Sequence, residues 1–229
     1  MHLFTACGVV AGLAALLSVI DGNARLCFWW LGVALLIDGV DGTLARRFAV
    51  RTVLPQFDGD VLDLVIDYLT YVVVPAVFLL LMGLLPAGLA GPLAAYVLVT
   101  SLYCFCNVQM KSADYYFVGF PAVWNLVAFY LWVLQWPPAA TAAVVVVLGA
   151  LTPTPIKFLH PFRAGRLLPA TLLVGAVWAV ASVWLTLAHP AQPPVALAVW
   201  LLATAYYAGV CAWRTLRGPL DRETPPLAA

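Results

Sequence analysis

The stretch DGVDGTLARRFAVRTVLPQFDGDVLDLVID, residues 38–67, holds six of the chain's ten acidic residues. Apolar runs long enough to cross a bilayer flank it on both sides. A carboxylate at membrane depth costs about 2.5–3.5 kcal/mol on insertion scales. Four of the six, Asp38, Asp41, Asp63 and Asp67, would therefore cost roughly 10–14 kcal/mol if left unpaired. The stretch therefore predicts a cationic group that neutralises its aspartates.

The composition is that of an integral membrane protein. Of the 229 residues, 65% are hydrophobic and 9% are charged, and the mean hydropathy is +1.01. A soluble domain carries about 25% charged residues. The formal net charge of +1 gives no support to nucleic-acid binding.

Apolar runs divide the chain into about eight transmembrane helices, separated by proline and glycine clusters. The predicted helices cover 3–21, 25–47, 59–85, 91–110, 120–136, 139–157, 167–188 and 194–214. A short amphipathic link, 48–58, joins the second helix to the third. We expect an all-α polytopic membrane protein with a single transmembrane catalytic domain, 1–215, and a disordered cytoplasmic tail, 216–229.

The cationic residues predict the topology. Of eleven Lys and Arg residues, ten lie near the junctions after the second, fourth and sixth helices or after the last helix, and only Arg25 follows the first. With eight helices these places share one side of the membrane, which the positive-inside rule makes cytoplasmic. Both termini and the acidic stretch are therefore expected at the cytoplasmic face.

Helical periodicity groups the aspartates on two faces. At about 100° per residue, Asp38 and Asp41 lie about 60° apart on the second helix, and Asp63 and Asp67 follow one turn apart on the third. Because the link reverses the chain, these faces can meet, and four converging carboxylates repel unless cations lie between them. Oxygen ligands favour Mg²⁺ or Mn²⁺, and four suffice for two ions. Such a pair can clamp a pyrophosphate during an in-line displacement at phosphorus.

Small residues beside the aspartates leave room for a ligand. Gly42 and Ala45 adjoin the carboxylates, Gly59 allows close approach to the third helix, and Arg46 can pair with a phosphate. Taken singly, each small residue is also explained by close helix packing in membranes. Asp58 and Asp60 are expected at the exposed start of the third helix, where acids favour the helix dipole.

The pattern D-x2-D-G-x2-A-R followed by G-x3-D-x3-D resembles the signature of the CDP-alcohol phosphotransferase family. Eight positions carry it: Asp38, Asp41, Gly42, Ala45, Arg46, Gly59, Asp63 and Asp67. Twelve residues separate Arg46 from Gly59, a longer gap than is usual in the family. This gap resembles the bacterial phosphatidylcholine synthase branch, as do the strings RTVLPQFDGDVLDLVIDYLTYVVVP, YYFVGFPAVWN and IKFLHPFR.

The resemblance implies a CDP-alcohol phosphotransferase-like helical bundle that transfers the phosphatidyl group of CDP-diacylglycerol to choline, releasing CMP. It implies two divalent ions, Mn²⁺ or Mg²⁺, on Asp38, Asp41, Asp63 and Asp67, with Asp67 also acting as the base for the choline hydroxyl. The implied CDP pocket is lined by Gly42, Ala45, Arg46 and Gly59. The implied location is the bacterial inner membrane, among membrane lipids, and a homodimer is compatible with it.

The quaternary ammonium of choline requires a site of its own, and proteins usually hold such groups in an aromatic cage. Tyr71, one turn beyond Asp67, is the first candidate; further candidates are Tyr68, Tyr115, Tyr116, Phe117 and Trp124. Lys157 and Arg163, at the junction of the sixth and seventh helices, are candidates for binding the donor phosphates. Positive-inside topology alone also explains these two cations.

Three alternatives remain open at this point. The same chemistry could use serine, glycerol phosphate or an inositol as the acceptor. A cation transporter could use the aspartates as its ion site, although this leaves Arg46 and the glycines unexplained. A structural membrane scaffold would tolerate Asp67→Asn without consequence.

Overall fold

Eight helices and one short sheet make up the described part of the chain. A computed structural model of the protein describes residues 2–47, 58–107, 116–159 and 167–217, without the side chains of residue 2 and residues 41–47. The helices are α1 (His2–Ile20), α2 (Ala24–Arg47), α3 (Gly59–Leu81), α4 (Ala90–Cys106), α5 (Trp124–Leu134), α6 (Pro138–Leu151), α7 (Leu168–Ala188) and α8 (Pro194–Arg217). The strands are β1 (Phe117–Val118) and β2 (Lys157–Phe158). The prediction of an all-α polytopic membrane protein with about eight helices is confirmed.

Helix length and composition identify the membrane spans. Among the described residues, four stretches are long and apolar enough to cross a bilayer: Leu3–Ile20, Gly59–Leu81, Leu168–Ala188 and Pro194–Arg217. Helices α4, α5 and α6 are apolar but have only 17, 11 and 14 residues. An 11-residue helix is about 16 Å long, whereas the hydrocarbon core is about 30 Å thick. Helices α5 and α6 are therefore shorter than their predicted ranges, 120–136 and 139–157.

The two-stranded sheet explains why these helices are short, and it was not predicted. Strand β1 pairs antiparallel with β2, with Phe117 opposite Phe158. The N–H of Gly119 donates to the carbonyl of Ile156 at 2.7 Å. Gly119 has a φ of +86°, and a Cβ there would collide with the carbonyl oxygen of Thr152. The chain before α5 and after α6 is thus held in extended and turn conformations, with prolines at 121, 153 and 155 that cannot donate helical hydrogen bonds.

Helix α3 contains a π-helical segment, Tyr68–Val73, directly after Asp67. Pro75 lacks an N–H, so the carbonyl of Tyr71 cannot receive the usual α-helical hydrogen bond. The N–H of Val74 instead donates to the carbonyl of Leu69, five residues back, which is the π-helical pattern. Since π-helical turns frequently occur at functional sites, the position of this segment directly after Asp67 is consistent with a functional role for this part of α3.

The chain divides into two compact units. The first comprises Met1–Ser101 and Ala122–Val146, and the second comprises Leu102–Pro121 and Val147–Ala229.

In the first unit the ring of Phe28 on α2 lies 4.7 Å from the ring of Phe78 on α3 and 5.0–5.1 Å from two rings of α5, Phe129 and Trp132. These separations favour aromatic pairing. Phe28 precedes Asp38 by about 15 Å of helix, so the cluster joins α2 to α3 at a distance from the acidic stretch.

Candidate active site

Three of the predicted aspartates converge where α2 faces α3. Asp38, Asp63 and Asp67 are half-buried, and one carboxylate oxygen of each lies within 4.8 Å of the others. At an effective dielectric constant of 20, two unit charges at this separation repel by about 3.5 kcal/mol. The arrangement therefore favours a bound cation that offsets this repulsion.

The donor set of this cluster fits a hard divalent ion. All three residues offer carboxylate oxygens, which Mg²⁺ and Mn²⁺ prefer over nitrogen or sulfur ligands. Mg²⁺ holds its ligands at about 2.0–2.1 Å, so oxygens on opposite sides of the ion lie about 4 Å apart. The observed oxygen separations, at most 4.8 Å, are close to that distance and are compatible with one ion among the three carboxylates.

Tyr71 contacts the cluster through its hydroxyl group. The phenol donates a hydrogen bond of 2.5 Å to Oδ2 of Asp38, a short distance typical of charge-assisted bonds. The periodicity of α3 placed Tyr71 on the face of Asp67, but it gave no indication of the contact with Asp38. That contact depends on the separation of α2 and α3, which no helical repeat specifies.

Comparison with known proteins identifies the family. The chain is 51% identical to a phosphatidylcholine synthase of Pseudomonas aeruginosa over 217 residues, which cover 95% of this chain and 91% of the relative. The chain belongs to the phosphatidylcholine synthase family. Two phosphatidylcholine synthases from Bradyrhizobium diazoefficiens and Rhizobium johnstonii are 43% and 37% identical, covering 89% and 98% of this chain and 76% and 93% of the relatives. No protein-family model matches the chain.

Membership in the phosphatidylcholine synthase family confirms the resemblance that residues 38–67 carried. The residues predicted for the CDP pocket lie at the end of α2 and the start of α3. Gly42, Ala45 and Arg46 belong to the last turns of α2, and Gly59 is the first residue of α3. The backbone of Asp41 is also helical. The side chains of Asp41, Ala45 and Arg46, and residues 48–57 of the link, lie outside the described residues.

Asp58 and Asp60 lie at the exposed start of α3, as predicted. Asp58 caps the helix, since its Oδ1 accepts hydrogen bonds from the N–H groups of Asp60 at 3.0 Å and Val61 at 3.2 Å. An N-terminal cap of this kind stabilises a helix by about 1 kcal/mol. These two acids therefore have a structural role, distinct from that of the three acids in the cluster.

Two of the predicted choline-binding aromatics donate hydrogen bonds within the first unit. The hydroxyl of Tyr68 donates to the carbonyl of Leu98 at 3.0 Å. Trp124 is fully buried, and its Nε1 donates to Oγ of Ser101 at 2.8 Å. Their assignment to choline in a phosphatidylcholine synthase stays a prediction.

Two further predicted site residues, Tyr116 and Lys157, belong to the second unit. Tyr116 is buried, and the guanidinium carbon of Arg214 lies 5.1 Å from its ring centroid, within cation–π range. Lys157 lies in β2, and its N–H donates to Oγ1 of Thr215 at 3.0 Å. Tyr115 and Arg163 lie outside the described residues. Because an arginine already occupies one side of its ring, Tyr116 offers less surface to choline than its sequence position suggests.

Two glycines of α1 support the acidic cluster, and sequence reasoning missed them. A Cβ on Gly8 would lie 2.8 Å from Cγ2 of Ile66, and one on Gly12 would lie 2.9 Å from Cδ2 of Leu69. Ile66 and Leu69 lie on either side of Asp67 along α3. The spacing G-x3-G, a known signal of close helix packing in membranes, could have identified this contact.

We expect Gly12→Leu to destabilise the protein. The new side chain would force α1 away from α3 at the level of Asp67, and overpacking of this kind costs about 1–3 kcal/mol. The apparent Tm of the purified protein should fall by about 3–10 °C. Gly32→Leu is the matched control, because a Cβ on Gly32 meets no atom within 4 Å. Equal Tm values for the two variants would contradict the close packing of α1 on α3.

Proposed function

We propose that the protein transfers the phosphatidyl group of CDP-diacylglycerol to choline, giving phosphatidylcholine and CMP. The convergence of Asp38, Asp63 and Asp67 carries the proposal, in a chain that is 51% identical to a phosphatidylcholine synthase. The choline oxygen forms a bond to the β-phosphorus of the donor. The bond from that phosphorus to the bridging oxygen breaks, CMP leaves, and the hydroxyl proton passes to a carboxylate.

Four aspartates would hold the divalent metal, Mn²⁺ or Mg²⁺, with two ions per site. These are the three of the observed cluster and Asp41, which follows Asp38 on α2. When bound, the ions would neutralise the pyrophosphate and stabilise the charge that develops on it. The oxygen-only donor set supports this proposal.

Asp67 is the carboxylate that we assign as the base. It lies nine residues beyond the Asp58 cap of α3, about 13 Å further along the helix. Helix α3 is long and apolar enough to span the membrane, and a lipid phosphorus lies below the headgroup surface. Of the two cluster acids on α3, Asp67 is therefore better placed to meet the reacting phosphorus and the attacking hydroxyl.

The donor nucleotide would bind beside the aspartates. Gly42, Ala45 and Gly59 leave room for the cytidine and ribose, and the guanidinium of Arg46 can pair with a phosphate. Lys157 and Arg163 are the further candidates for the phosphates of the lipid donor. Substrate positioning and charge neutralisation would then provide most of the rate gain, as in other phosphoryl transfers.

Choline would bind to aromatic side chains. Tyr71 is the favoured candidate because it contacts Asp38 of the cluster, and Tyr68, Tyr116 and Trp124 remain further candidates. Residues 1–215 would act as one catalytic domain, followed by a cytoplasmic tail. The protein would lie in the bacterial inner membrane, and the positive-inside distribution supports an orientation with the site and both termini facing the cytoplasm.

Acceptor competition tests this function. Purified protein receives CDP-diacylglycerol and Mn²⁺ together with labelled choline, serine, glycerol phosphate or inositol in separate and mixed reactions. We expect choline to enter lipid and to be required for CMP release. Preferential labelling of lipid by serine would contradict the assigned acceptor. Ion flux into proteoliposomes without CMP release would instead support the transporter alternative.

A further inference from the structure

The geometry points to Tyr71 as a positioning residue that orients the carboxylate of Asp38 for metal binding. This inference rests on the proposed metal-dependent function and deepens it. It gives the Tyr71 hydroxyl a role separate from contact of the Tyr71 ring with choline.

The hydrogen bond between these residues is the first argument. The Tyr71 hydroxyl donates to Oδ2 of Asp38 at 2.5 Å. A carboxylate has two oxygens with about four lone-pair sites, so this bond leaves acceptor capacity for a metal. Groups that bond to a metal ligand fix its orientation, and their loss commonly weakens metal affinity by about 10–100-fold.

The backbone around Tyr71 is the second argument. Tyr71 lies inside the π-helical segment Tyr68–Val73, where the wider turn rotates the chain by less than the ~100° per residue of an α-helix. The segment therefore changes the direction of Tyr71 relative to the two aspartates that precede it. Pro75 maintains this arrangement because it cannot donate to the Tyr71 carbonyl.

The residues on either side of Tyr71 in the chain are buried. Thr70 and Val72 are 2% and 0% exposed, so the residues on both sides of Tyr71 are fixed in the core. The hydroxyl of Thr70 also donates to the carbonyl of Ile66 at 3.0 Å. A phenol supported in this way loses little conformational freedom when it bonds to Asp38. The Tyr71 hydroxyl is therefore suited to fix the orientation of the Asp38 carboxylate as a metal ligand.

Direct Mn²⁺ titration tests the inference without any turnover. Purified full-length protein in detergent, without CDP-diacylglycerol or choline, is titrated with Mn²⁺, and free Mn²⁺ is measured by electron paramagnetic resonance. Tyr71→Phe removes only the hydroxyl, and we expect the Kd for Mn²⁺ to rise at least about 10-fold. Tyr71→Leu removes the ring as well and should show the same loss.

The control variant is Tyr96→Phe. It removes a hydroxyl that donates to the carbonyl of Val146 at 3.1 Å rather than to an aspartate, and it should bind Mn²⁺ like the wild type. A role of the Tyr71 ring in binding choline would be detected by a different measurement. In that case the KM for choline would rise in Tyr71→Leu but not in Tyr71→Phe.

Two results would overturn the inference, and they are distinguishable. If Tyr71→Phe and wild type bind Mn²⁺ equally well, the hydroxyl does not position Asp38, while the proposed transfer reaction still stands. If the wild type binds no Mn²⁺ although it is folded, both the metal site and this role of Tyr71 are wrong.

Discussion

Asp67→Asn is expected to abolish CMP release while the protein remains folded. Asparagine is nearly isosteric with aspartate, but it cannot accept the choline proton and it is a poorer ligand for a hard cation. Loss of a general base alone costs about 10²–10⁴-fold, and a weakened metal site adds to this. We expect kcat to fall by at least about 10³-fold, measured as CMP release from CDP-diacylglycerol and choline by the purified variant.

Asp58→Asn is the matched control for this substitution. It makes the same chemical change on the same helix, at a residue whose role is to cap α3, and asparagine caps helices about as well as aspartate. Its turnover and Tm should match those of the wild type. CMP release retained by folded Asp67→Asn would rule out Asp67 as the base.

The acidic cluster was largely predictable from sequence because helical geometry is local. The i+4 spacing of Asp63 and Asp67 puts both on one face of α3 in any helix. The high cost of unpaired carboxylates in a membrane then predicted that the faces of α2 and α3 meet around a cation. The structure confirms the convergence for Asp38, Asp63 and Asp67.

The contact between Tyr71 and Asp38 could not be predicted in the same way. It depends on the distance between α2 and α3, to which the contact of Phe28 on α2 with Phe78 on α3 contributes. It also depends on the π-helical turn, in which one missing N–H at Pro75 changes the hydrogen bonding of several residues. Helical periodicity assumes a uniform rotation per residue and therefore cannot anticipate this change.

The predicted start of α5 and the predicted end of α6 were wrong for a related reason. Their flanking residues are apolar, and hydropathy does not distinguish a helix from an extended segment buried in the same core. The positive φ of Gly119 and the pairing of Phe117 with Phe158 end the helical pattern there. Prolines near these positions, at 121, 153 and 155, are the sequence signal that indicates these helix ends.

Asp63→Asn should lose metal binding and activity together. Its activity should fall because the metal is lost, whereas Asp67→Asn also lacks the proposed base. Loss of a group that hydrogen-bonds to a metal ligand typically weakens metal affinity by about 10–100-fold. Loss of a ligand itself should have a larger effect, so we expect the Kd for Mn²⁺ to rise by more than about 100-fold. CMP release should fall in parallel at low Mn²⁺. Asp60→Asn is the control, since Asp60 is exposed and lies one turn before Asp63 on α3.

High metal concentration separates the roles of the two aspartates. If Asp63 acts only as a ligand, excess Mn²⁺ should partly restore CMP release by Asp63→Asn, because mass action refills a weakened site. The same excess should not restore Asp67→Asn, because no metal concentration replaces the missing proton acceptor. If excess Mn²⁺ restored CMP release equally in both variants, Asp67 would be a metal ligand only, and the base would be unassigned. Restoration of neither variant, with Mn²⁺ bound in both, would show that Asp63 also takes part in the chemical step.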